Sequence, residues 1–298
     1  MASKRIAIVT GGKRGIGFEI IKQLVSSARD LHVVLTAQDV QKGIQSLQIL
    51  KTLGLSENVV VQHLDVKNPA SIASLADFIQ KRFGKLDILV NNAGVTGIVI
   101  NDKSLNLVKP GEVSGVQPYM TKQFMLQTYE TAKDCIETNY YGTRHVTEAL
   151  LPFLHLSPSP RIVNISTGIS KLENIKDEAA KKMLSDVDRL TEDVLDEVVT
   201  DFLRAAKDDL LESKGWNEPF SAYIVSKTVV NAYTRILAKK YPSFRINTVN
   251  PGFTKTDLTN YQGIYTPEEA AVGPVKLALM PDEGPTGRFF FQSKETTF

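Results

Sequence analysis

Six short apolar runs recur along the chain: IAIVT at 6–10, HVVLT at 32–36, NVVVQHLDV at 58–66, LDILVNNAG at 86–94, RIVNIS at 161–166 and RINTVN at 245–250. They are nearly continuous rather than strictly alternating, the pattern of strands covered on both faces. Helical patterns fill the intervals, as in GIGFEIIKQLVSSA after the first run and PASIASLADFIQKRFG after the third, with Pro69 and Ser71 near the start of the latter. Strands joined by helices predict an α/β fold, a Rossmann-type doubly wound parallel sheet. With 298 residues, 42% of them hydrophobic, the chain can bury the core of one large domain. No repeat, low-complexity tract or linker divides it, so residues 1–298 are expected to form a single domain with insertions.

Two stretches break the alternation. Residues 96–130 are punctuated by Gly and Pro, have weak periodicity and follow directly on the fourth run, which predicts a long loop or lid. In residues 170–218, Leu190, Val194, Leu195, Val198, Val199, Phe202 and Leu203 recur at helical spacing among many charges, with Thr191 as N-cap and Glu192 and Asp193 in the first turn. That pattern predicts an inserted amphipathic helix or helix pair.

Formal net charge is +2 and the charges are dispersed, so nothing favours nucleic acid or an anionic membrane, and a small molecule is the expected partner. Cys135 is the single cysteine, which excludes an internal disulfide and agrees with a reducing compartment. His32, His63, His145 and His155 lack ligand-like spacing, so no catalytic metal is expected. The N-terminus MASKRIAIVTGG leaves no room for a secretory core, and no apolar run spans a bilayer. A cytoplasmic protein is the expectation.

TGGKRGIG at 10–17 sets Gly11, Gly15 and Gly17 after a strand and at the opening of a helix. Glycines there allow a tight turn and close approach to a pyrophosphate, whose charge meets the N–H groups of the helix N-terminus. Further on, Tyr223-x-x-x-Lys227 stacks a phenol and an ammonium on one helical face. A tyrosine keeps its proton at neutral pH, and a nearby ammonium is expected to lower its pKa towards the working range.

The spacing Gly-x-x-x-Gly-x-Gly, NNAG at 91–94, YIVSK at 223–227 and PGFTKTD at 251–257, in that order, resemble the short-chain dehydrogenase/reductase family. TNYYG at 138–142, LSPSPRIVNIS at 156–166 and the insert before Tyr223 are similar to the plant salutaridine and menthone (neomenthol) reductase group within it, and to monomeric carbonyl reductases. The resemblance implies an NADP-dependent oxidoreductase of plant specialised metabolism, with Tyr223 as general acid, Lys227 binding the nicotinamide ribose, and the backbone carbonyl of Asn139 holding a relay water. The family's catalytic hydroxyl falls on Thr167 of Ser166-Thr167, with Ser166 as the fallback. Thr retains a donor for the carbonyl oxygen while its methyl narrows the pocket.

The same resemblance assigns Gly11, Lys13, Arg14, Gly15, Ile16 and Gly17 to the phosphate loop and Asp65 and Val66 to the adenine side. Asn91, Ala93 and Gly94 border the adenosine ribose, and Pro251, Gly252 and Thr256 flank the nicotinamide and pyrophosphate. Ala37 stands where an NAD-type acid would be, with Arg14 and Lys42 as candidate 2′-phosphate ligands, so NADPH is expected. Gln38 stands where related reductases carry Arg, which weakens that preference and leaves NADH possible; Asp39 could reach the ribose or cap a turn. Val95, Thr96 and Gly97 with the inner face of the insert would wall a pocket for a hydrophobic ketone or aldehyde, terpenoid or alkaloid in type. The insert would cover the faces used for tetramer contacts in shorter relatives, giving a monomer. An NAD-dependent alcohol dehydrogenase running oxidatively, a silent dinucleotide-binding protein and an enone reductase stay open.

Overall fold

The computed structural model describes residues 4–28, 30–100, 125–216 and 220–297. Its first half alternates regularly: β1 (Arg5–Val9), α1 (Gly15–Ser27), β2 (Leu31–Ala37), α2 (Val40–Thr52), β3 (Val59–His63), α3 (Pro69–Arg82) and β4 (Ile88–Asn91). A short antiparallel pair follows, β5 (Val99–Ile100) with β6 (Met125–Leu126). Next come α4 (Tyr129–Ile136), a π-helical turn (Glu137–Tyr141), α5 (Gly142–Leu154) and β7 (Arg161–Ile165). The chain continues through α6 (Glu178–Ser185), α7 (Glu192–Lys207), α8 (Ser221–Lys240), β8 (Arg245–Asn250), α9 (Pro267–Ala278), β9 (Phe289–Phe291) and β10 (Lys294–Thr296).

Eight strands form one sheet in the order β10-β9-β8-β7-β4-β1-β2-β3, parallel throughout except for β10 against β9. Every one of the six apolar runs contributes a strand. Strand order reverses between β1 and β4, and in open α/β sheets the crevice beyond the carboxyl ends at such a switch point is where ligands bind. One face of the sheet buries Ile20, Ile21 and Leu24 of α1 with Leu50 and Val275; the other buries Leu75 and Ile79 of α3 with Val146, Leu150, Val225 and Val229. Covering both faces is why the strands read as continuous apolar runs.

Local signals account for the element boundaries. Asn68 accepts the N–H groups of Ala70 and Ser71, and Pro69 opens α3 where its missing donor costs nothing. Asp39 caps α2, accepting the Lys42 N–H at 3.2 Å. In the insert, Thr191 Oγ accepts the Val194 N–H at 3.3 Å, and α7 buries Leu195, Val198, Val199 and Phe202 in the core shared with α8. Phe202 packs edge-on to Trp216 at 5.5 Å.

The 96–130 stretch departs from a single loop. Its base is closed by β5 and β6, and α4 already begins at Tyr129, with Thr128 and Thr131 forming a reciprocal cap; residues 101–124 of it lie outside the described residues. Two-residue strands are too short to show a period. Strands β9 and β10, which extend the sheet past β8, also went unforeseen because FFF and KET carry no alternation of their own.

Candidate active site

The glycine loop is built for close approach. Gly11 and Gly15 hold the left-handed conformation, φ +66° and +55°. Gly17 is required by space: a Cβ there would lie 2.5 Å from Asn92 Nδ2 and 2.6 Å from the Gly11 carbonyl oxygen. Asn92 Nδ2 donates to the Thr10 and Gly11 carbonyls at 2.8 and 3.3 Å, while Thr10 Oγ accepts the N–H groups of Asn92 and Ala93, both at 2.9 Å. The loop is thereby tied to the end of β4. Helix α1 has no side-chain cap at Arg14, so nothing from the chain's own caps occupies its first N–H groups. Lys13 anchors the loop to α2 through its carbonyl, which accepts from Ser46 Oγ at 2.5 Å, and Ile16 packs on the α1 core.

Beyond β2, Gln38 Nε2 donates to Asp65 Oδ2 at 3.0 Å, and Asp65 Oδ1 accepts the Lys67 N–H at 3.0 Å. Val66 lies beneath Gly142, where a Cβ would come within 2.8 Å of it. Lys42 Nζ sits 3.9 Å from Asp39, which is occupied as a cap, and Arg14 pairs with Asp257. Each of the three side chains proposed near a ribose phosphate therefore has a carboxylate beside it. The Asn91 side chain turns inward, donating to Thr147 Oγ and Asn164 Oδ1 at 3.0 and 2.8 Å, so only its backbone faces the groove.

Tyr223, Lys227 and Asn139 converge from α8 and the π turn. Lys227 Nζ donates to the Ile165 carbonyl at 2.8 Å and lies 6.0 Å from the Tyr223 ring centroid. A Cβ on Gly94 would stand 3.4 Å from that Nζ and 3.1 Å from Asn139 Oδ1, so the glycine leaves room beside both. Asn139 is fully buried. Its Nδ2 donates to the Val95 carbonyl and to Ser226 Oγ, each at 2.9 Å, and its Oδ1 accepts the Val95 N–H at 2.9 Å. Cys135 joins this knot, 3.3 Å from Asn139 Nδ2, and burial pushes its thiol up to about 12.

The expected lowering of the Tyr223 pKa is corrected here. Burial raises the phenol above its ordinary value, and burial also pulls the Lys227 amine down to about 8. Desolvation disfavours the charged form of each group and is the largest cause of both shifts. A raised phenol stays protonated at neutral pH, as a proton donor must.

The two adjacent hydroxyls are separated by the fold. Ser166 is buried, its Oγ 3.0 Å from Ser170 Oγ, whereas Thr167 is half-buried and its hydroxyl has no partner among the described residues. Ser170 Oγ donates to the Thr167 carbonyl at 2.6 Å, and Thr228 and Asn231 of α8 hold Ser170 in turn.

After β8, Gly252 takes φ +91°, Pro251 is buried, and the Thr256 methyl would lie 3.2 Å from a Cβ on Gly15. The loop thus packs on the glycine turn. It carries Leu258, Tyr261 and Ile264 exposed to solvent, with Asn260 and Tyr261 left-handed, an apolar edge that the sequence reading missed. A cavity of about 290 Å³ adjoins Val95, Thr96 and Gly97, but its lining includes Glu130 and Asp134, so that wall is not uniformly apolar. The four histidines engage separate local partners, Ser71 or aromatic rings, and among the described residues no acid, His or Cys cluster could hold a metal.

A glycine turn at the switch point, with Tyr and Lys one helical turn apart beside it, defines a nicotinamide-dinucleotide oxidoreductase. The chain belongs to the short-chain dehydrogenase/reductase family: the profile of short chain dehydrogenases matches residues 5–179. Such enzymes act on carbonyl and alcohol groups. The chain is 48% identical to (-)-isopiperitenone reductase of Mentha piperita, over 98% of this chain and 97% of that one. It is 45% identical to (+)-neomenthol dehydrogenase of Arabidopsis thaliana, over 99% and 98%. The structure of salutaridine reductase from Papaver somniferum superposes with a TM-score of 0.89 at 45% identity, covering 97% of this chain and 99% of that one.

Proposed function

We propose that this protein is an NADPH-dependent carbonyl reductase that converts a hydrophobic ketone or aldehyde, terpenoid or alkaloid in type, to the alcohol. The observation that carries this reading is the convergence of Tyr223, Lys227 and Asn139 beside Gly94 and the glycine loop. When bound, the reduced nicotinamide supplies the hydride. Tyr223 donates its phenolic proton to the substrate oxygen, and the charge left behind faces the Lys227 ammonium. Thr167 holds the same oxygen with its unengaged hydroxyl, a role for which the core-committed Ser166 is the weaker candidate. Lys227 orients the ribose, and the Asn139 backbone carbonyl holds the water that restores the proton.

Ala37 in place of an acid, with Arg14 and Lys42 nearby, supports NADPH; Gln38 and the carboxylates Asp39, Asp65 and Asp257 weaken the selectivity and leave NADH usable. Gln38 is also what favours the second reading, an NAD-dependent dehydrogenase working oxidatively. Exposed Leu258, Tyr261 and Ile264 on the loop beside the glycine turn support a hydrophobic substrate. The same reading takes the enzyme as a single-domain, cytoplasmic monomer; among the described residues no helix is long and apolar enough to cross a membrane.

The test is NADPH and NADH oxidation by purified protein across monoterpene ketones, alkaloid ketones and aromatic aldehydes. Turnover with NADPH exceeding that with NADH is expected, and cofactor binding without turnover of any carbonyl would overturn the reading. Tyr223→Phe should lower kcat by about 10²–10⁴-fold, the worth of a positioned acid, while NADPH binding stays at the wild-type level. Near-normal turnover would remove Tyr223 as the acid.

A further inference from the structure

The turn that carries Asn139 is the irregular part of an otherwise regular helical run. At its end the Gly142 N–H donates to the Glu137 carbonyl, five residues back, so the helix is locally widened. Such turns are rare as isolated structure, and their neighbours decide whether they persist. Tyr140, next to Asn139, is fully buried; its ring meets Tyr233 of the catalytic helix α8 edge-on at 6.4 Å. Its hydroxyl points the other way and donates to Asp196 Oδ1 at 3.0 Å, on the inserted helix α7. Arg144, one turn further along, donates to Asp196 Oδ2 at 2.9 Å and pairs with Glu192 at 2.8 Å and Glu148 at 2.9 Å. Asp196 therefore bridges Tyr140 of the π turn and Arg144 in the helical turn after it.

We infer that Asp196 is a positioning residue for the proposed reduction: through Tyr140 and Arg144 it fixes the π turn, and with it the Asn139 carbonyl and the Asn139–Val95 clamp. The inference rests on the carbonyl-reductase reading. It gives the insert a catalytic purpose besides covering helices. Charge-assisted, bridging contacts of this kind hold geometry more firmly than neutral ones. A displacement of the order of an ångström at a relay group costs up to about 10²-fold in rate.

The experiment compares wild type, Asp196→Ala, Asp196→Asn, Tyr140→Phe and the Asp196→Ala/Tyr140→Phe double variant. Expected is a fall in kcat of about tenfold or more in Asp196→Ala, with NADPH Kd unchanged by Trp fluorescence. Asp196→Asn, which keeps an oxygen for the Tyr140 hydroxyl, should recover part of that rate. The double variant should lose no more than the worse single one, since both cut the same link. Amide hydrogen exchange at residues 137–142 should quicken in Asp196→Ala while α1 stays protected. Unchanged kcat, additive losses, or a loss of NADPH affinity and thermal stability matching the loss of rate would overturn the inference. If wild type reduces no carbonyl, the functional reading fails separately, and the exchange measurement alone decides whether Asp196 holds the turn. Tyr140→Phe covers the case in which Asp196→Ala does not fold.

Discussion

Lys227 is charged at neutral pH in a place that resists charge. Its amine is nearly enclosed, donates to the Ile165 carbonyl, and burial lowers its pKa to about 8. As pH rises through that value the folded protein loses the cation expected to hold the ribose hydroxyls. kcat/KM for NADPH, which reports the free enzyme, should therefore fall above about pH 8, and Lys227→Met should be low and lack that limb. For stability the sign is opposite. Above pH 8 the unfolded lysine still binds the proton that the folded one has released, so this residue's burial penalty is relieved as pH rises. Gln38 offers a second test. Gln38→Arg should improve NADPH relative to NADH binding by roughly tenfold or less, since the position is exposed and Asp65 competes for the new cation. An unchanged ratio of dissociation constants would show that residue 38 does not meet the 2′-phosphate. The motifs made these residue types legible, but not their surroundings. Counting neighbouring charges predicted a lowered Tyr223, and burial reversed the direction. Motif position ranks Thr167 ahead of Ser166, but only the fold reveals that Ser170 engages the Ser166 hydroxyl.

At the scale of elements, hydrophobic periodicity carried the reading furthest where segments are long and packed. Each of the six apolar runs became a strand, and the spacing of Leu195, Val198, Val199 and Phe202 marked α7. What failed was set by one or two hydrogen bonds. TNYYG is compatible with an ordinary helix, and the partner that Tyr140 of the widened turn engages, Asp196, lies many residues away in sequence. The pair β5 and β6 depends on register across residues 101–124, which no local pattern encodes. Burial on α7 makes a quantitative prediction. Phe202 is fully enclosed against Trp216, so Phe202→Ala should cost about 3–5 kcal/mol of unfolding free energy in denaturant titration. Trp216, the chain's single tryptophan, gives the signal. A loss below about 1 kcal/mol would mean that α7 is only loosely docked on the core.

At the scale of the molecule, the insert decides which surfaces another copy could reach. Helix α7 packs on α4 and α8, joining the core beneath them with its apolar stripe. Its outer side presents Asp193, Glu197, Thr200 and Arg204 to solvent. Two consequences follow from elementary energetics. The apolar faces of α4 and α8 under the insert are already buried, so a second copy would gain no hydrophobic area there. To dock on α7 instead, it would have to strip water from a charged face of net negative sign, the same on both partners, which costs more than exposed ion pairs return. Light scattering should therefore give the mass of one chain, 32.9 kDa, across protein concentration. Low ionic strength should not change it, because like charges on α7 are then least screened. A dimer or tetramer that forms or tightens as salt is raised would show instead that α7 is an interface, its like charges then being screened. A dimer indifferent to salt would place the contact away from the charged face of α7.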